Sequence, residues 1–276
     1  MSTKKALFWV LFWIGLALCF NMGIYFTLGE ERALEFLGGY IIEQSLSIDN
    51  LFLFIMVFSS FGISSQYQRR VLNYGIFGAI ILRLIFVMLG VTIVEMFEWI
   101  LYVFGAILIF SGLKMMLKKE KKENFKDSGI LKLVGKIIPI TEKLEGEKFF
   151  VRNKKKLYAT PLFAILILIE FTDIIFAIDS IPAIFSITTD PFIVYTSNIF
   201  AIMGLRSLYF LLGRLHERFT YVKYGVGLIL SFTGIKLLVL FFHIHISIGV
   251  SLGVIFTILA GSIIASIYFS REKKSE

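Results

Sequence analysis

Eight runs of roughly 20 or more apolar residues, separated by charged gaps, decide what this chain can fold into. A run of that length crosses the hydrocarbon of a bilayer as one helix, because lipid offers nothing to satisfy an open backbone. The sequence places the spans at about 6–29, 36–61, 71–94, 97–117, 159–187, 192–213, 221–242 and 246–269. Composition agrees. Of 276 residues 57% are hydrophobic and 17% charged, with a mean hydropathy of +0.83. A soluble domain needs a mostly polar skin, and here the charges are too few and too clumped to make one. The first run follows Lys4 and Lys5, is too long for a signal-peptide core and has no small-x-small site after it, so it reads as a retained helix. Cys19 is the single cysteine, so no disulfide framework is expected.

The gaps carry charge in alternation. Lys4 and Lys5, then Arg69 and Arg70, then the 118–158 loop with thirteen basic and six acidic residues, fall on one side. Arg214, Arg218 and Lys223 join them, as do Arg271, Lys273 and Lys274. The other side carries Glu30, Glu31 and Glu35, then Glu95 and Glu98, then Asp190, with Arg32 its main base. Basic gaps mark the cytoplasmic face, so eight helices put both termini in the cytoplasm of a cell (inner) membrane protein. Topology, with some attraction to anionic lipid, accounts for the net charge of +8, and nucleic acid is not needed. The Lys/Glu-rich 118–158 loop reads as a solvated linker.

An internal repeat organises the spans. Glu43-x5-Asp49-Asn50 matches Asp173-x5-Asp179-Ser180; Phe77-x5-Arg83-x6-Gly90 matches Phe200-x5-Arg206-x6-Gly213; Gly105-x6-Gly112-x-Lys114 matches Gly227-x6-Gly234-x-Lys236. The order is the same each time. Each unit holds three helices, an odd number, so the second must sit upside down. The expected fold is a single all-α membrane domain over 1–276. It has a first repeat at 36–117 (helices 2–4), the basic cytoplasmic loop at 118–158 and a second repeat at 159–242 (helices 5–7). One flanking helix lies at each end, the last at 246–269. Such inverted repeats around a midplane site are the architecture of secondary transporters. Lys114 and Lys236 fall towards opposite faces, where each is expected to snorkel to its interface.

Seven charges lie inside the spans: Glu43, Asp49, Glu170, Asp173, Asp179, Arg83 and Arg206. Unpaired, they would cost on the order of 20 kcal/mol, more than the roughly 5–15 kcal/mol of net stability a domain has. Pairing each arginine with an acid leaves about three carboxylates for a cation. Oxygen ligands suit hard ions such as Mn²⁺, Ca²⁺ or Mg²⁺, and Asn50, Ser180 and Thr172 would add neutral oxygens. His243 and His245, at the far end of the seventh span, read as inert loop residues. Glu170 and Asp173 share a helix face, whereas Asp49 and Glu43, like Asp179 and Asp173, are six apart and diverge unless the helix breaks. Pro182 on one helix, and Gly38-Gly39 with Ser45 and Ser47 on the other, are the expected breakers. A structural salt-bridge network is the competing reading of the same charges.

At these residues the chain resembles the TerC family, and within it the Alx-like branch. The resemblance rests on Glu43-Gln-Ser-Leu-Ser-Ile-Asp49-Asn50-Leu-Phe, Gln68-Arg69-Arg70-Val-Leu and Phe149-Phe150-Val151-Arg152. It extends through Glu170-Phe-Thr-Asp173-Ile-Ile-Phe-Ala-Ile-Asp179-Ser180-Ile-Pro182-Ala-Ile-Phe, Thr188-Thr189-Asp190-Pro191-Phe192, Tyr195-Thr-Ser-Asn198 and Gly204-Leu-Arg206. Alx-like proteins usually carry an additional preceding helix, not seen here. The resemblance implies metal-ion efflux, chiefly of manganese, with the family's intramembrane acids falling on Glu43, Asp49, Asp173 and Asp179. Spacing alone does not choose Mn²⁺ over Ca²⁺ or Mg²⁺.

The expectation is therefore a Mn²⁺ exporter working by alternating access, with Mn²⁺ as cargo and no organic cofactor. Burial disfavours the ionised form of a carboxylate, so metal and protons would compete, and Mn²⁺/H⁺ antiport follows as a coupling to test. A non-transporting accessory, aiding metallation or insertion of other proteins through the 118–158 loop, is the alternative. An enzyme is not expected: no nucleophile–base pair or Gly-rich phosphate loop is evident, and the buried acids lack a His partner.

Overall fold

The computed structural model describes residues 3–61, 63–97, 99–117, 135–136, 138–141, 144–153, 156–212 and 221–272. Glu98, most of the 118–143 segment, Gly213, Arg214, Arg218, Lys273 and Lys274 lie outside it, as do the side chains of Asp49 and Arg271.

Eight long helices form, one per apolar run: α1 (Thr3–Leu28), α2 (Glu30–Ser60), α3 (Ser65–Met96), α4 (Ile100–Leu117), α5 (Pro161–Phe185), α6 (Pro191–Leu212), α7 (Val222–Val239) and α8 (Ile248–Glu272). Six of them are long and apolar enough to cross a membrane: α1, α3, α4, α5, α7 with its 3-10 extension, and α8. The chain is an integral, multi-pass membrane protein. The mid-helix acid Glu43 and the charged start of α2 (Glu30, Glu31, Arg32, Glu35) lower its hydropathy, although its 31 residues are ample in length. Between α1 and α2 the chain turns at Gly29, whose φ of +95° is open to glycine at little cost.

The bundle is built on close pairs: α4 against α7, α2 against α6, and α3 against both α5 and α6, with α1 and α8 outside. The α4–α7 seam is made of glycines facing backbone. A Cβ on Gly105 would lie 2.8 Å from the Gly234 carbonyl oxygen, and one on Gly234 would lie 2.6 Å from that of Gly105. Gly112 and Gly227 face each other in the same way, so small residues let two helices approach backbone to backbone. Three apolar clusters fill the interior among the described residues. One gathers Ile42, Val87, Ile184 and Val226, another Leu51, Val71, Ile165 and Leu205, and a third Ile24, Phe36 and Ile193 where α1 meets α2 and α6.

Three expectations need correction. The 118–158 loop is not linker throughout: Phe150–Asn153 (β1) pairs antiparallel with Lys156–Ala159 (β2), Phe150 opposite Ala159. This hairpin packs on the bundle through Phe150 against Phe163, with Arg70 over Phe149 and paired with Glu147 at 3.5 Å. Neither acidic helix breaks. Pro182 sits in the last turn of α5 and leaves the Ile178 carbonyl without its helical donor, yet the helix runs on to Phe185; Gly38 and Gly39 act as packing sites, a Cβ on Gly39 meeting Ser197 Oγ at 2.7 Å. Lys236 does not snorkel, being only 6% exposed, whereas Lys114 is exposed as expected.

Candidate functional site

Continuous helices fix which charges can meet. Asp173 and Ser180 are seven residues apart, two turns of α5, and so share one face, while Asp179 points elsewhere. Glu43 on α2 and Arg83 on α3 converge on that face, each 1% exposed or less. Arg83 Nη1 donates to Glu43 Oε2 at 2.8 Å, to Ser180 Oγ at 2.7 Å and to Asn198 Oδ1 at 2.7 Å. Its Nη2 lies 3.5 Å from Asp173 Oδ1. One arginine thus joins α2, α3, α5 and α6, and a charge buried this deeply demands such partners.

On the hairpin side of Arg83 a small cavity opens among Phe54, Leu72, Gly75, Ile76, Glu170 and Asp173. Its ≈ 20 Å³ is room for one water-sized occupant. Two carboxylate oxygens at its wall, Glu170 Oε2 and Asp173 Oδ2, have no hydrogen-bond partner among the described residues. Glu170 reaches this position across glycines: a Cβ on Gly78 would overlap its carboxylate, and one on Gly75 would stand 3.8 Å from Oε1. Nothing in the acidic spacing pointed to Gly75 or Gly78.

The remaining sequence-selected residues are dispersed. Asp179, half-buried, faces α4 and accepts from Ser111 Oγ at 2.9 Å. Arg206 pairs with no acid among the described residues and instead donates to Asn73 Oδ1 at 2.5 Å. Asn50 is buried, 3% exposed; Thr172 turns back on its own helix, bonding the Leu168 carbonyl. No three acid, His or Cys side chains converge as a metal cage among the described residues. The pairing of each arginine with one acid is thus replaced by Arg83 taking two. Asn198, quoted in a motif but given no role, proves to be a partner of Arg83; the signal was an amide midway along an apolar helix.

At the far end of the bundle from the hairpin, Arg32 bonds Glu35 at 2.8 Å and reaches Asp190 at 3.3 Å. Asp190 also caps α6, accepting from the amides of Phe192 and Ile193, so this ion pair ties the start of α2 to the start of α6.

Residues 28–274 match the family described as "Integral membrane protein TerC family". A protein of Salmonella typhi named "Putative membrane-bound redox modulator Alx" is 47% identical over 281 residues, 99% of this chain and 87% of its own. Its namesake in Escherichia coli K12 is 49% identical over 267 residues, 94% of this chain and 83% of the relative. An "Uncharacterized membrane protein STKORF319" of Myxococcus xanthus is 46% identical over 269 residues, 97% and 84% of the two chains. No solved structure matches the chain.

Proposed function

The chain belongs to the TerC family of integral membrane proteins, and from that premise we propose that it is a divalent-cation exporter, Mn²⁺ its expected cargo, working by alternating access. The observation that carries this reading is the cavity beside Arg83, with its two unpartnered carboxylate oxygens. Oxygen donors suit a hard cation, and neither His nor Cys lines this space. Two carboxylates are fewer ligands than such an ion takes, so water would complete the shell. A cargo held this way can also leave.

The architecture supports the same reading. The α4–α7 glycine pairs are reciprocal, Gly105 with Gly234 and Gly227 with Gly112, and these positions correspond in the repeat. That reciprocity favours α2–α4 and α5–α7 as inverted units. Basic gaps favour a cell membrane location with both termini cytoplasmic. The cavity then lies in the cytoplasmic half, while Arg32 and Asp190 tie α2 to α6 at the outer end, as suits an exporter ready to load. The names of the Salmonella and Escherichia relatives speak of redox modulation; this chain offers one cysteine, Cys19, exposed on α1, and we read it as a transporter with no enzymatic step.

Mn²⁺ content of cells expressing wild type, Glu170→Gln and Asp173→Asn at matched membrane levels tests the proposal. Wild type should lower cell Mn²⁺ and both variants should not. An unchanged Mn²⁺ content with wild type, or variants that match it, would remove the transport reading. The accessory role, with residues 118–158 as docking surface, would then take its place.

A further inference from the structure

Resting on the export reading, we infer that Arg83 is a resident cation of the site, and that its guanidinium and the metal ion are alternative partners of Asp173. The hold of Arg83 on its neighbours is uneven. Nη1 has three acceptors within 2.8 Å, on Glu43, Ser180 and Asn198. Nη2 has only the 3.5 Å approach to Asp173, and neither it nor Nε makes a hydrogen bond among the described residues. An arginine serving purely to tie helices together would be expected to use its fork on a carboxylate with two parallel bonds. Here the grip is firm towards Glu43 and loose towards Asp173.

The loose side is the side that faces the cavity. Asp173 offers Oδ1 to Arg83 and leaves Oδ2 unbonded, with Glu170 Oε2 unbonded at the same cavity wall. A divalent ion entering there meets Asp173 where its present partner holds it least. Arg83 cannot surrender its charge by losing a proton, so it yields only by moving. Because Nη1 is anchored to α2, α5 and α6, a swing of Nη2 away from Asp173 leaves Glu43 still paired. Arg206, its counterpart in the repeat, bonds the neutral Asn73, so this exchange belongs to one half of the molecule. The carboxylates are then covered by Arg83 before loading and shared with the metal after it, and no stage leaves Glu43 and Asp173 both bare in the bilayer.

The test is Mn²⁺ binding to the purified full chain in detergent, read from loss of the free Mn²⁺ paramagnetic resonance signal, for wild type, Arg83→Gln, Glu43→Gln and Glu43→Gln/Arg83→Gln. The double variant removes one charge of each sign and keeps Asp173 and Glu170, so the buried cluster carries the same net charge as in wild type. If Arg83 competes with the ion, Arg83→Gln binds more tightly than wild type, and the double variant binds about tenfold or more tighter than Glu43→Gln, equivalent to about 1.4 kcal/mol of lifted competition. Affinity that is unchanged or weaker in both comparisons, with wild type still binding, overturns the resident-cation role and leaves the export reading standing. Absence of binding by wild type and all variants overturns both.

Discussion

Asp173 and Asp179 share a helix and a side chain, yet their surroundings assign them different work. Asp173 is 6% exposed, beside Arg83 and the cavity, whereas Asp179 is half-buried against Ser111 on another face. Asp173→Asn should abolish Mn²⁺ export while Asp179→Asn keeps a measurable part of it, compared as initial efflux rates from preloaded cells. Gly78→Ala should act at a distance of one side chain: its methyl takes the place of the Glu170 carboxylate, so Mn²⁺ binding weakens several-fold while the melting temperature of the purified protein moves little. At this scale the sequence was half legible. It exposed the buried charges because apolar runs make them conspicuous, but the choice of partner depends on how α2, α3, α5 and α6 are rotated. That rotation is set by side-chain and glycine contacts such as Gly39 on Ser197, which local pattern does not encode.

Among the elements, the helices were the easiest to foresee, since each apolar run became one, with ends shifted by a few residues. The expected breaks failed for a physical reason. Pro182 withholds the N–H that the Ile178 carbonyl would accept, but only three residues of α5 lie beyond it, so little helix is left to redirect; a glycine pressed against a neighbouring helix is held helical by that contact. The hairpin was hidden by the charges around it; its apolar residues Phe149 and Phe150 dock it on α3 and α5. The α4–α7 seam gives a sharp prediction. Gly112→Val should cost about 1–3 kcal/mol or more by overpacking, seen as a lower unfolding midpoint in detergent. Gly15→Val on α1, where a Cβ meets nothing within 4 Å, should leave the midpoint in place.

For the whole molecule, orientation and the polar loop are the features open to direct test. A fluorescent protein fused after Glu276, of a kind that matures only in the cytoplasm, should light up; a dark fusion at normal expression would reverse the proposed orientation. Replacing residues 118–134 by a short polar linker should leave Mn²⁺ export intact, because the hairpin keeps its own contacts through Arg70, Phe149 and Phe150. Loss of export would transfer weight to a docking role for that segment. The pairing of the two halves through Gly105, Gly112, Gly227 and Gly234 also bears on how such a protein can drift over generations. Ordinary core clashes are forgiven when a neighbour shrinks. At this seam each glycine is met by a carbonyl of the opposite helix, a group that no codon change can trim. A bulky replacement there has no second-site remedy across the seam, so lineages carrying one are expected to recover only by reverting.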